Sequence, residues 1–232
     1  MSKRLYDSVA RKQEYLRALE VFSQHHSTDS YFQLMVAICL TQLGDYPNAQ
    51  SFYRLSLASA YSDRQWQFTG IMHGLVDTYV LANQPESLPR LLAEIEAYKQ
   101  DRKGNSLEAL YAYSMACLLS RRDEEADPYL HGLLRKPKFR WTHAAGKAIE
   151  GLVERDQPRF DQALDELLKA HRGMATVGGI RESPEGFLCL QAMSLARLAI
   201  ERSLTVSAES EYLNNGYLLS ICARSWASDV RP

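Results

Sequence analysis

His25 and His26 form the densest histidine pair in this 232-residue chain, a natural place to look for a metal or a proton relay. Adjacent helical residues point about 100° apart, so the two rings cannot easily share an ion. No His-x-x-x-His or Cys-x-x-Cys accompanies them, and the pair reads as a helix end before Ser27-Thr28-Asp29-Ser30. His73, His131, His143 and His171 are isolated in sequence, as expected of partly buried or capping histidines. The segment Val177-Gly178-Gly179-Ile180 follows no strand and lacks the glycine spacing of a dinucleotide turn. A Gly-x-Ser-x-Gly elbow and a Walker lysine are both missing from the chain. The carboxylate clusters Asp123/Glu124/Glu125 and Asp161/Asp165/Glu166 sit where helices should begin, and complementation of the helix dipole explains them. No catalytic residue, metal ligand or cofactor site is assigned, and the chain is not expected to be an enzyme.

Residues suited to binding another macromolecule are easier to find. Arg135-Lys136-Pro137-Lys138-Phe139-Arg140-Trp141 interleaves cations with aromatics, the ingredients of a phosphate-binding patch, although as an inter-helix turn it reads first as a solvated helix terminator. Arg181-Glu182-Ser183-Pro184-Glu185-Gly186 follows a glycine-rich stretch and is either a helix start or part of a partner-facing rim. Tyr61, Trp66, Trp141 and Trp226 fall near expected loops or helix ends, where Trp and Tyr serve as interface anchors. The candidate partner-binding set is therefore Tyr61, Trp66, Trp141, Arg181, Glu182, Glu185 and Trp226.

These residues must be carried by helices, because strand-like alternation is nearly absent. Leu88, Leu91, Leu92, Ile95 and Tyr98 mark one stripe of an amphipathic helix, and Leu164, Leu167, Leu168 and His171 repeat the spacing. Tyr31 to Leu40 and Phe187 to Ile200 are apolar nearly all round, as in helices sandwiched by neighbours; the second carries one narrow polar stripe of Gln191, Ser194, Arg197 and Glu201. Asp45-Tyr46-Pro47, Asn83-Gln84-Pro85 and Asp156-Gln157-Pro158 share the pattern Asp/Asn-x-Pro. An Asp or Asn side chain caps a free first-turn amide, and proline in that turn gives up no hydrogen bond. Each triplet thus reads as the tight turn inside a helix pair. Arg122-Asp123-Glu124 fills the remaining gap, and the resulting spacing of 33 to 40 residues is typical of helix-pair repeats.

Ala37, Leu40, Leu43-Gly44-Asp45-Tyr46, Ala49 and Tyr53 resemble a tetratricopeptide unit, and Phe160-x-x-Ala163-Leu164 echoes its second half. The expected fold is all-α: stacked antiparallel helix pairs in a degenerate tetratricopeptide-like α-solenoid, forming a single domain over 1–232. An N-terminal helix covers about 2–24 and pairs follow near 30–61, 64–101, 105–136 and 140–172. A loop from His171 to Ser183 comes next, Ser183-Pro184-Glu185 starts another helix, and a last helix runs from about Tyr212 to Ala227.

Bulk properties narrow the partner. A formal net charge of -1 argues against a general nucleic-acid or membrane-surface binder, and no apolar run approaches the length of a membrane helix. The start shows no apolar secretory region. Cys39, Cys117, Cys189 and Cys222 lie far apart among apolar neighbours, as free cysteines on core faces would, so a cytoplasmic location is expected.

The C-terminal third carries a more specific pattern. Phe160-x-x-Ala163-Leu164 and Leu167-Leu168-Lys169-Ala170-His171-Arg172 are followed by Ser183-Pro184-Glu185-Gly186-Phe187-Leu188. Then come Leu190-x-Ala192, Leu195-Ala196, Leu198-Ala199 and Ser210-x-Tyr212-Leu213. This order resembles the immunity-protein family numbered forty-nine among bacterial polymorphic-toxin systems, over roughly 140–220. Two loops depart from it: Arg202-Ser203-Leu204-Thr205 stands where the family tends to Arg-Gly-Leu-Pro, and Asn214 stands where proline tends to follow Tyr-Leu. The resemblance implies an antitoxin that binds and occludes a cognate toxin protein. The alternative is a tetratricopeptide-like adaptor or secretion chaperone binding a peptide segment; that reading wants a polar, cationic row on the inner helices, which Tyr31–Leu40 and Leu107–Leu119 do not supply.

Overall fold

The computed structural model describes residues 3–24, 29–63, 72–102, 106–181 and 183–222. Those residues contain no strand. Among the described residues eleven α-helices follow one another: α1 (Lys3–Gln24), α2 (Ser30–Leu43), α3 (Tyr46–Asp63), α4 (Met72–Ala82), α5 (Leu88–Arg102), α6 (Leu107–Leu119), α7 (Asp127–Leu134), α8 (Arg140–Glu154), α9 (Gln157–Val177), α10 (Leu190–Glu201) and α11 (Asn215–Cys222). Short 3₁₀ turns precede α5, α7 and α10, at Pro85–Ser87, Asp123–Ala126 and Pro184–Phe187.

The turns inside three of the pairs and the end of α10 use one backbone device. Gly44, Arg121, Arg155 and Ser203 each adopt a left-handed conformation (φ 85°, 58°, 55° and 64°). The amide after each reaches back to a carbonyl five residues earlier: Asp45 to Leu40, Arg122 to Cys117, Asp156 to Gly151 and Leu204 to Ala199, at 2.9–3.0 Å. The bond satisfies carbonyls that the helix end leaves free. Asp156 also behaves as expected and caps α9 by accepting from the Arg159 amide at 3.1 Å. Asn83 does not start a helix: it is left-handed (φ 51°) after α4, and a 3₁₀ turn intervenes before α5.

Consecutive helices pack as pairs and then as a stack. α2 packs on α1 and α3, α3 on α4, α4 on α6, α6 on α7 and α8, and α8 on α9. The α8–α9 approach is closest at Gly151, where an added Cβ would come within 2.9 Å of the Phe160 backbone nitrogen. Every residue from Ala109 to Leu119 in α6 is buried, as is every one from Leu34 to Thr41 in α2, so both helices are surrounded. The buried cluster is continuous from Leu34 in α2 to Ile221 in α11.

The C-terminal segment changes the picture of an open stack. α10 lies against α4 and α8, and the Pro184–Phe187 turn lies against α2 and α9. The narrow polar stripe of α10 is largely buried and bonded: Ser194 Oγ contacts the Asp77 carbonyl at 3.5 Å, and Arg197 is wholly inaccessible. The Arg197 guanidinium donates to the Val80 carbonyl, to Asn83 Oδ1 at 2.7 Å and to Glu201. Arg202 donates to the Leu118 carbonyl and, through both terminal nitrogens, to Asp123. Arg54 and the Tyr217 hydroxyl take the Ala82 and Leu81 carbonyls. The free carbonyls at the ends of α4 and α6 are thus met by side chains from distant parts of the chain.

Other boundaries differ from the sequence reading. α9 continues through Val177, so the loop expected from His171 starts only at Gly178. Ser183 caps a 3₁₀ turn rather than a long helix, and α10 begins at Leu190, not at Pro184. Residues 204–214 form an extended connection, pinned by Gln157 to Thr205 and by Asn214 to the Thr41 carbonyl, so the last helix begins at Asn215.

Candidate partner-binding surface

Of the expected anchors, Trp66, Glu182 and Trp226 lie outside the described residues, as do His25 and His26. Tyr61 is not a surface aromatic: it is only 5% exposed, and the Arg90 guanidinium sits 4.5 Å over its ring. It ends the apolar stripe of α3 with Tyr53 and Leu57, at every fourth position. Trp141 is half-buried with its ring edge-on to Tyr111, 6.2 Å between centroids, so packing claims one side of it. Arg181 is exposed and makes no side-chain bond among the described residues. Glu185 is half-buried beside Ser183, and burial holds its carboxyl above the usual range.

Arg181 lines a groove of about 350 Å³ that no single stretch of sequence announces. Its walls are α1, the end of α9 and the Gly186–Phe187 strip, and its aromatic lining is Tyr15, Phe187 and Tyr212. Tyr15 meets Phe187 edge-on at 4.8 Å. Arg11 is ion-paired with Glu211, which ties α1 to the 204–214 connection, whereas Glu14 and Arg181 have no ionic partner among the described residues. An arginine and a glutamate over an aromatic lining suit a mixed polar and apolar protein surface.

Behind this groove His171 is buried, its ring 5.0 Å from that of Tyr212. Desolvation pushes its pKa down to about 4 against a weaker opposing hydrogen bond to the Gly186 backbone, so the ring is neutral near pH 7. Arg172 lies over the other wall of Tyr212, at 5.9 Å. The His-Arg, Pro-Glu-Gly and Tyr-Leu motifs, separate in sequence, therefore meet at one point. Arg11, Tyr15 and Phe187 were missed as surface residues because only the closure of residues 183–214 onto α1 and α2 assembles the groove. Tyr212 carried a signal, as part of the Tyr-Leu motif.

A second groove, of about 420 Å³, lies between α5, α6 and α7. Its own Lys99 fills the aromatic part, donating to the Tyr129 hydroxyl at 2.8 Å and facing Tyr113. Burial pushes the pKa of its Cys117 thiol up, which suppresses the reactive thiolate. Among the described residues no three His, Cys, Asp or Glu side chains gather as a metal site would require, and no helix is long and apolar enough to cross a membrane.

The architecture defines an all-α protein of stacked helix pairs whose last pair is tied back to its first by a C-terminal segment. Residues 121–213 of this chain match the family model described as Immunity protein 49. The matched stretch runs from the α6–α7 turn to the Tyr-Leu motif and contains Trp141, Arg181, Glu185 and His171. No curated protein and no solved structure matches the chain.

Proposed function

We propose that this protein is an immunity protein that binds a cognate bacterial toxin protein in the cytoplasm and neutralises it by occlusion, without catalysis or a cofactor. The match of residues 121–213 to an immunity-protein family carries the reading. The surface around Arg181, Glu185 and Trp141 is the proposed contact region, and the aromatic groove with Arg11 and Tyr15 extends it. The competing reading, a tetratricopeptide-like adaptor for a peptide segment, needs an open inner face on the stack. α10 of the same chain already covers α4 and α8, which weighs against it.

The test is growth rescue. The protein encoded by the adjacent reading frame is expressed in a host with and without this chain. Rescue of growth, together with co-purification of the two proteins, is the expected result. No rescue and no complex from a toxic neighbour rejects the proposal.

A further inference from the structure

The loop between α7 and α8 carries Arg135, Lys136, Lys138 and Arg140, all exposed. Among the described residues none of the four makes an ion pair or a side-chain hydrogen bond. Between them Phe139 stands 56% exposed. A cluster of unpaired cations around an exposed aromatic already raises the local potential, and the frame beneath it is fixed. The Phe139 amide donates to the Lys136 carbonyl at 3.1 Å, and the Phe139 carbonyl accepts from the His143 amide at 3.0 Å and from Thr142 Oγ1 at 2.9 Å.

Termination of α7 explains only half of this chemistry. Arg135 and Lys136 follow a helix C-terminus, where cations are favourable. Lys138 and Arg140 flank the N-terminus of α8, where cations oppose the helix dipole. The same N-terminus has no acidic residue in its first turn, and Phe139 occupies the cap position with no side-chain bond. Serine, threonine or aspartate there would accept from a free first-turn amide and stabilise the helix. Asp29, Ser106 and Asp156 do cap α2, α6 and α9. Helix stability therefore favours neither the charges nor the aromatic at this point, and local rules are broken in this way where a surface serves function.

We infer that the loop 135–140 docks an acidic surface of a partner protein, with Phe139 entering an apolar pocket framed by carboxylates that Arg135, Lys136, Lys138 and Arg140 engage. The inference rests on the immunity reading and names the chemistry of the toxin face it contacts. Trp141 joins the loop to the proposed contact region. A protein fits better than a nucleic acid. The chain's net charge of -1 gives no extended basic track, and one protruding phenylalanine is an anchor for a pocket rather than a stacking platform for successive bases.

The experiment measures binding of the adjacent-frame protein to the full chain and to two variants, Lys138→Glu/Arg140→Glu and Phe139→Ala. The charge-reversal variant is expected to slow association at least tenfold at low salt and to melt at or above the wild-type temperature, because its acids now favour α8. Phe139→Ala is expected to dissociate at least tenfold faster with an unchanged melting temperature. Rates within twofold of wild type for both variants overturn the inference while the immunity reading stands. If the wild-type chain itself does not bind, the immunity reading fails and the inference falls with it. Binding of 20-nucleotide single-stranded DNA or RNA by the wild type at physiological salt, lost in the charge-reversal variant, overturns the protein partner in favour of a nucleic acid.

Discussion

Asp77 and His171 are buried ionisable groups that pull stability in opposite directions with pH. Asp77 is fully buried between α4, α6 and α10, and the Tyr111 hydroxyl donates to Oδ1 at 2.8 Å. Desolvation pushes its pKa from 3.8 up to about 7 despite that bond. The folded state therefore holds a proton that the unfolded chain releases, so this group's contribution is full below pH 3.8 and is lost as pH rises to about 7. His171 has the opposite sign. Its pKa falls from 6.5 to about 4, so its contribution is full above pH 6.5 and is lost as pH falls toward 4. Asp77→Asn keeps an acceptor for Tyr111 and removes the charge. It is expected to stabilise the protein at pH 8 by on the order of 1–3 kcal/mol and to leave pH 4 stability nearly unchanged. His171→Gln is expected to flatten the loss between pH 6.5 and 4. Urea midpoints measured from pH 4 to 8 check both, and a higher urea midpoint for wild type than for Asp77→Asn at pH 8 would reject the first. Neither role was legible in the sequence: Asp77 sits on an apolar helix with nothing to mark it, and His171 was readable only as an isolated histidine on a core stripe.

At the level of elements, the sequence marked helix number and pairing better than helix ends. The Asp/Asn-x-Pro triplets located the turns at 45, 83 and 156 because turn chemistry is local, and Asp156 caps a helix as read, whereas Asn83 ends α4 instead of starting one. The left-handed residues Arg121, Arg155 and Ser203 were not legible, since only Gly44 among those four turns uses the residue type that favours this conformation. The function of the α10 stripe was also hidden. In the sequence Arg197 and Glu201 are only two positions of a polar stripe, but the carbonyl that Arg197 meets is that of Val80 in α4, more than a hundred residues earlier. Arg197→Met keeps most of the bulk yet strips the donor from Val80, Asn83 and Glu201. It is expected to cost about 2–4 kcal/mol, read as a lower denaturant midpoint, with α-helical circular dichroism retained. A midpoint equal to wild type would show that water replaces the guanidinium.

For the whole molecule, closure was the illegible feature. Periodicity reports which face of a helix is apolar, not which distant segment covers it, so an open solenoid and a closed one read alike. The candidate site was legible as motifs, but not as a place. We propose that the chain unfolds as one domain, because α10 and the 204–214 connection link the first pair, the middle of the stack and the last pair. One denaturation transition, superimposable by circular dichroism and tryptophan fluorescence, is expected. A chain ending at residue 181 should lose that transition, because α4 and α8 would expose faces that α10 covers. Survival of an equally cooperative, equally stable truncated chain would reject the proposal. The tie between Asn214 and Thr41 has a further consequence for how such a protein can change over generations. Open repeat arrays grow or shrink by duplicating or deleting a unit, since each unit touches only its neighbours. Here an inserted pair would carry the Pro184–Phe187 turn out of reach of α2, and a deleted one would leave Arg197 and Arg202 facing the wrong carbonyls. The number of repeats is locked, so a lineage built on this plan is left to adapt through point changes on its rim and in its inter-pair loops.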